Sequence, residues 1–271
     1  MKIRTNNILM NYEVSGSGSG KWLTLIHGAG DNLEAWWNQV PVFSKYYQVL
    51  TYDVRGYGDT GTPEEGYGID ILEQDLYELF RKLSIKESYL LGYSMGGRIA
   101  LHLALSHPEM VKAVIFANSG LVPVHWSIEE IEEMRKWRQQ RVAAIEQSGS
   151  LKIIITDESV GLAFSPGWPD KNNEVIQRLR QIQLKNDPQA YLITSKAMVW
   201  GTPPPDASQL KMPVLIIAGE HDIWSDIDSA KEAQRLIPGS KLVIMPTGHA
   251  SAIERPMEFN EAVLDFLSEL G

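Results

Sequence analysis

Residues 89–104 read YLLGYSMGGRIALHLA, and this stretch decides the fold. The run is apolar enough for a buried strand that feeds a buried helix, yet GYSMGG interrupts it at the hinge. At its simplest, a serine among glycines is a turn. On a strand-to-helix turn, G-x-S-x-G also holds a serine hydroxyl exposed at the strand end. Gly92, Gly96 and Gly97 relieve the crowding that such a tight turn creates between backbone and helix. Ser94 then lies at a helix N-terminus, where free N–H groups and the dipole favour developing negative charge.

Further short apolar runs end in similar punctuation. WLTLI (22–26) ends in HGAG, QVLTYDV (48–54) in RGYG, and VKAVIFA (111–117) in NSG. VLIIA (214–218) ends in GEHD and LVIM (242–245) in PTGH. KIRT and ILMNYEVS, around Asn6 and Asn7, read as two opening strands, and GSGSG (16–20) as a loop. Helical periodicity marks 69–83, 95–105 and 256–270. Continuous apolar strands alternating with helices predict an α/β protein whose parallel sheet is covered on both faces. Ligands in such sheets bind beyond the carboxyl ends of the strands, which is where the unusual residues fall.

The rhythm breaks between 121 and 206. Helical patterns fill 128–145, 174–184 and 190–199, with Ile128, Ile131, Met134, Trp137 and Ile145 along one face of the first. The expected organisation is a core domain of 1–120 and 207–271 with a helical lid of 121–206. Four of the eight tryptophans fall in the lid: Trp126, Trp137, Trp168 and Trp200. They pack it onto the core, and together with Gly28 and Tyr93 they are the candidate substrate-contacting residues.

Composition narrows the function. At 271 residues with a net charge of -9 the chain is acidic, which disfavours nucleic acid and anionic membranes as partners. Without cysteine there is no thiol nucleophile and no zinc–thiolate site. The N-terminus lacks the apolar segment of a signal peptide and no run reaches membrane-spanning length, so a cytoplasmic location is expected.

A serine hydroxyl needs a base. Of six histidines, His27 belongs to HGAG, and His102 and His107 belong to the helix behind Ser94 or its end. His125 falls in the lid and His221 adjoins Asp222 at a strand end. His249, in the loop after the last strand, is free to swing over the sheet edge and is the chosen base. Asp222, after the penultimate strand, is the chosen orienting acid, with Glu220, Asp226 and Asp228 as neighbouring alternatives. The order Ser94, Asp222, His249 is the one the serine motif predicts. The oxyanion donors are the N–H of Met95 and, from the glycine-rich loop after the 22–26 strand, that of Ala29.

Two decoys are set aside. GYGDTG (56–61) matches G-x-G-x-x-G, but TPEEG follows where a helix should begin, so no dinucleotide cofactor is expected. Asp53 and Arg55 are read as anchors of that loop. The Glu220-His221-Asp222 run with His249 does not form a metal site, because adjacent strand residues face opposite ways.

LIHGAG, DVRGYGDTG, LLGYSMGGRIA, VLIIAGEHD and PTGHASAIERPMEFNEAVLDFL together resemble the α/β-hydrolase superfamily over essentially the whole chain. The resemblance implies a mostly parallel eight-stranded sheet flanked by helices, with the lid inserted after the sixth strand. It also implies the same triad and oxyanion donors and no cofactor. The expected substrate is a small ester or related carbonyl compound, cleaved through an acyl-enzyme on Ser94. Within the superfamily the chain is similar to carboxylesterases, meta-cleavage product (carbon–carbon) hydrolases and 3-oxoadipate enol-lactonases. The last two act on carboxylate-bearing substrates, for which Arg178, Arg180, Lys185 and Lys196 are the lid cations considered. Carbon–carbon hydrolases commonly carry Asn where this chain has Tyr93, and epoxide hydrolases carry Asp at position 94. A non-enzymatic ligand receptor on the same scaffold is the remaining alternative.

Overall fold

Buried strands and helices alternate to build an eight-stranded sheet of order β1-β2-β4-β3-β5-β6-β7-β8. The computed structural model describes residues 1–16, 20–61, 68–122, 127–197 and 204–271, without the side chains of 194, 196 and 197. β1 (Lys2–Thr5) and β2 (Ile8–Ser15) form a hairpin. Its turn residues Asn6 and Asn7 both have positive φ, as a two-residue turn between right-twisted strands requires. β3 is Trp22–Ile26 and β4 is Gln48–Tyr52, and β2 pairs antiparallel with β4. The rest of the sheet is parallel, through β5 (Ser88–Tyr93), β6 (Val111–Ala117), β7 (Val214–Gly219) and β8 (Lys241–Met245).

Helices α1 (Val40–Phe43), α2 (Ile69–Lys82) and α3 (Met95–Ser106) precede the inserted segment. The insertion holds α4 (Ile128–Ser148), α5 (Asp157–Gly161), α6 (Trp168–Lys171), α7 (Asn173–Gln183) and α8 (Pro188–Ala197). After it come α9 (Ile227–Leu236), α10 (Ser251–Glu254) and α11 (Pro256–Ser268). Phe80 and Ile99, from α2 and α3, cover one sheet face against Ile26, Leu90 and Phe116. Phe43, Phe259 and Val263 cover the other against Leu25, Leu91 and Ile217. Burial on both faces is why these strands are apolar throughout and do not alternate. No described helix is long and apolar enough to cross a membrane.

The insertion leaves the sheet after β6 and returns at β7. Ser127 and Glu130 form a capping box that starts α4. Ile145, Val160, Phe164 and Leu179 make a small core of their own, which Ala250 and Ile253 of the sheet domain join. The apolar face expected for α4 is not a packing face. Ile128 is 82% exposed, Ile131 and Trp137 are partly exposed, and of that set only Ile145 is buried.

Candidate active site

Ser94 occupies the turn from β5 to α3 with φ 52° and ψ -116°, a region that strains any L-residue. The surroundings impose it. A Cβ on Gly92 would lie 2.4 Å from the carbonyl oxygen of Gly96, and one on Gly96 would lie 2.1 Å from that of Ile26. The Ser94 N–H donates to the Ala117 carbonyl at 2.9 Å, and the Ser119 hydroxyl donates to the Ser94 carbonyl at 2.8 Å. The turn is thereby fixed to the end of β6.

The three residues expected to cooperate meet. His249 Nε2 is 2.9 Å from Ser94 Oγ, and His249 Nδ1 is 2.8 Å from Asp222 Oδ2. Asp222 is buried, and Oδ1 accepts the backbone N–H groups of Trp224 and Ser225 at 2.9 and 3.0 Å. Oδ2 also accepts Asn118 Nδ2 at 3.1 Å. With every bond to the Asp222 carboxylate an accepted one, Nδ1 carries the imidazole proton and Nε2 is left to accept from Ser94. Trp224 meets the imidazole edge-on at 5.0 Å and Tyr93 lies tilted at 5.1 Å, so ring contacts also restrict its rotation. The other acids are used elsewhere: Asp226 caps α9, Asp228 pairs with Lys231, and Glu220 is exposed.

The loop after β3 supplies the opposite wall. His27 is fully buried; Nδ1 bonds the Gly28 carbonyl at 2.8 Å and Nε2 accepts the Val54 N–H at 2.9 Å. Burial pulls its pKa down, against the charge of Asp53, and keeps the ring neutral for these two bonds. Asp53 accepts the N–H groups of Leu33 and Asp59, each at 2.8 Å. Arg55 pairs with buried Asp75 at 2.6 Å, so both act as loop anchors. Among the described residues the N–H groups of Ala29 and Met95 have no acceptor in the protein. Gly28 lies behind this wall against the Tyr93 ring and does not line the cavity.

Above Ser94 lies a cavity of about 220 Å³ between the strand ends and the insertion. Ala29, Tyr93, Trp137 and Tyr191 line it, as do two cations of α4, Arg138 and Arg141. Arg141 donates to the Ile154 carbonyl at 3.0 Å and stacks over Trp137 at 4.6 Å. Burial pulls Arg138 down to about 9, with Tyr191 opposing, and leaves it cationic at neutral pH.

Of the lid cations read from sequence, Arg178, Arg180 and Lys185 are not in this lining. Arg178 stacks on Trp37, Arg180 bonds the Ile155 carbonyl, and Lys185 pairs with Glu34. Trp168 stacks on Phe164 at 4.5 Å and does not line the cavity, whereas Trp137 does. Trp126, Trp200, His125 and the Lys196 side chain lie outside the described residues. Sequence reading missed Arg138, Arg141, Asn118, Trp224 and Asp31. Arg138, Arg141, Val142 and Ile145 share one helical stripe, but its mixed polarity carries no periodic signal.

A family model described as alpha/beta hydrolase fold matches residues 21–256. The chain belongs to this family. It is accordingly a hydrolase of small molecules. 3-Oxoadipate enol-lactonase 2 of Acinetobacter baylyi is 28% identical over 261 residues, spanning 96% of this chain and 94% of that protein. The 2-hydroxy-6-oxo-6-(2'-aminophenyl)hexa-2,4-dienoic acid hydrolase of Metapseudomonas resinovorans is 24% identical across 93% of this chain and 86% of its own. Among solved structures, the enol-lactonase of Burkholderia xenovorans superposes with a TM-score of 0.88 at 26% identity. That match covers 99% of this chain and 100% of the other.

Proposed function

We propose that the protein is a serine hydrolase that cleaves a carboxylic ester bond, open-chain or cyclic, in a small substrate bearing a carboxylate. The observation that carries the reading is the unbroken run of hydrogen bonds from Ser94 through His249 to Asp222. In this reading Ser94 Oγ attacks the acyl carbon while His249 Nε2 takes its proton. Asp222, held by three other donors, orients the ring and stabilises the imidazolium. The N–H groups of Ala29 and Met95 receive the oxyanion. His249 returns the proton to the departing alkoxide, and water then cleaves the acyl-enzyme. In a lactone the alkoxide stays attached to the acyl chain, and one product leaves.

The carboxylate is argued from Arg138. A partly buried guanidinium in an otherwise mostly apolar wall is a strong site for a carboxylate, which it can bind through two parallel bonds. Similarity to two enol-lactonases favours the cyclic ester. Tyr93, where carbon–carbon hydrolases commonly carry Asn, argues against carbon–carbon cleavage. Parallel turnover of simple esters, a carboxylated enol-lactone and a dienoate ketone tests the reading. Ser94→Ala should lose about 10⁴-fold or more in kcat, and Asp222→Asn a similar factor. Wild-type turnover of neither ester nor lactone, with no fluorophosphonate adduct on Ser94, would overturn it in favour of a receptor.

A further inference from the structure

One buried acid in the cavity wall has no part in this chemistry. Asp31 is 5% exposed and lies two residues beyond Ala29, on the same wall of the cavity as the proposed oxyanion donor. Its Oδ1 accepts Gln183 Nε2 from α7 at 3.0 Å, and its N–H donates to the Gly28 carbonyl at 3.3 Å. Among the described residues, Oδ2 has no hydrogen-bond partner in the protein. Its charge also reaches the neighbouring Tyr93 hydroxyl, whose pKa is raised mainly by burial and further by Asp31. Dehydration holds Asp31 at about 6, above its ordinary 3.8, against the help of Gln183 and the attraction of His249. Keeping such a group ionised at neutral pH costs the fold stability. A structural role does not explain it, because an amide could take the Gln183 bond without the charge.

We infer that Asp31 is a specificity-determining residue whose free carboxylate oxygen accepts a hydrogen bond from a hydroxyl or amino group on the acyl part of the substrate. Three observations agree. The acid is aimed into the cavity from the proposed oxyanion loop, so a donor it meets sits within a few bonds of the scissile carbonyl. It carries the charge opposite to that of Arg138 in the α4 wall, so the two walls select different ends of one molecule. A substrate without the donor leaves this acceptor of the cavity wall unpaired, and sites built this way reject such analogues strongly. The inference rests on the serine-hydrolase reading for its turnover arm alone.

The test compares ethyl butanoate with its 2-hydroxy, 3-hydroxy and 3-amino derivatives, followed by acid release. At least one derivative should exceed ethyl butanoate about tenfold or more in kcat/KM. Asp31→Leu should bring that ratio close to one, and Asp31→Asn, which keeps an acceptor, should lower it only in part. A second arm needs no turnover: calorimetry with Ser94→Ala protein should show the substituted acid binding more tightly than butanoate, and Asp31→Leu in that background should erase the difference. A smaller adjoining cavity is lined by Asp31 and by Trp36, whose buried Nε1 has no partner, so a water bridging these two groups is the competing account of Oδ2. Selectivity and differential binding that survive Asp31→Leu, or are absent from the unaltered site, would favour the water and overturn the inference. Failure of every ester in the first arm with a positive second arm would exclude these open-chain esters as substrates and leave the Asp31 assignment standing.

Discussion

Glu254→Ala is the most demanding test of how the insertion and the histidine loop depend on each other. Glu254 is 5% exposed at the end of α10. Its Oε2 accepts the Gly248 N–H at 2.9 Å and the Ser165 N–H at 3.1 Å, and its Oε1 accepts the Ser165 hydroxyl. One carboxylate thus ties the residue before His249 to the insertion. The residue after it is tied too, by the Ala250 N–H to the Ala163 carbonyl at 2.8 Å. A Cβ on Gly248 would lie 2.5 Å from the carbonyl carbon of Phe164, so the two backbones are already in contact.

Removing the carboxylate strands the buried Gly248 N–H, which costs about 1–3 kcal/mol. Ser165 is only half-buried, so water replaces part of its two bonds at about 0.5–1 kcal/mol each. The expected loss is roughly 3 kcal/mol in urea unfolding followed by tryptophan fluorescence. Freed at Gly248, the imidazole no longer holds its line to Ser94, and a displacement near 1 Å is worth about 10²-fold in rate. That loss should fall on kcat and on the rate of fluorophosphonate labelling, with KM little changed. Glu254→Gln keeps one acceptor but turns an amide donor toward an N–H, and should fall between the two. An alanine variant within about 1 kcal/mol of wild type that also labels at the wild-type rate would refute the argument.

Other outcomes follow from the same geometry. Arg138→Gln should raise KM for a carboxylated ester about 10–100-fold and much less for its neutral methyl ester; equal effects on both would remove Arg138 from recognition. Between pH 3.8 and about 6 the folded protein holds a proton on Asp31 that the unfolded chain has released, so stability from this group falls as pH rises through that window. Asp31→Asn should therefore gain up to roughly 3 kcal/mol over wild type at pH 7.5 and nothing below pH 4, measured by denaturation at both. Gly96→Ala would drive a Cβ to 2.1 Å from the Ile26 carbonyl oxygen, and should cost about 1–3 kcal/mol or more together with most Ser94 reactivity. Retention of both would show that the turn has room for a Cβ at this position.

The sheet and its rim were legible because each carries a local signature. A strand buried on both faces is a short continuous apolar run, and a residue held at its end needs glycine nearby, as at 92 and 96. Strand-end position and chain order singled out His249 and Asp222 without reference to distance. The insertion has no comparable constraint. α4 looked like a packing helix through Ile128, Ile131, Met134 and Trp137, but a helix that borders a ligand cavity need not be apolar on its inner side. What it turns inward is Arg138, Arg141 and Val142 beside Trp137. The lysine and arginines chosen from α7 and the turn after it were equally reasonable by charge, yet Glu34, Trp37 and the Ile155 carbonyl occupy them. Which cations line the cavity depends on tertiary packing between segments far apart in sequence, so a single sequence does not contain the choice.

In the proposed reading, the seam between core and insertion also separates recognition from reaction. Ser94, Asp222 and Asn118 all stand at strand ends of one parallel sheet, held by bonds within the core domain. Arg138, Arg141 and Trp137 stand on α4, within the insertion, whose small core Ala250 and Ile253 join. The insertion also docks by polar contacts of high directionality. Asn186 donates to the Gly30 carbonyl and accepts the Gly58 N–H, both at 2.6 Å, and Asn32 donates to the Ile182 carbonyl at 3.0 Å. Gln183 completes the row on Asp31. A shift of the insertion along this row would move the cations relative to the acyl carbon while the hydrogen bonds from Ser94 to Asp222 stayed intact. Among the described residues, the Ala250 N–H on the Ala163 carbonyl and two carboxylates cross the separation. Asp31 is a core residue oriented by the insertion, and Glu254 carries the insertion's position into the histidine loop. A displaced insertion would therefore reach the histidine loop and the oxyanion-loop wall through these contacts before it reached the nucleophile.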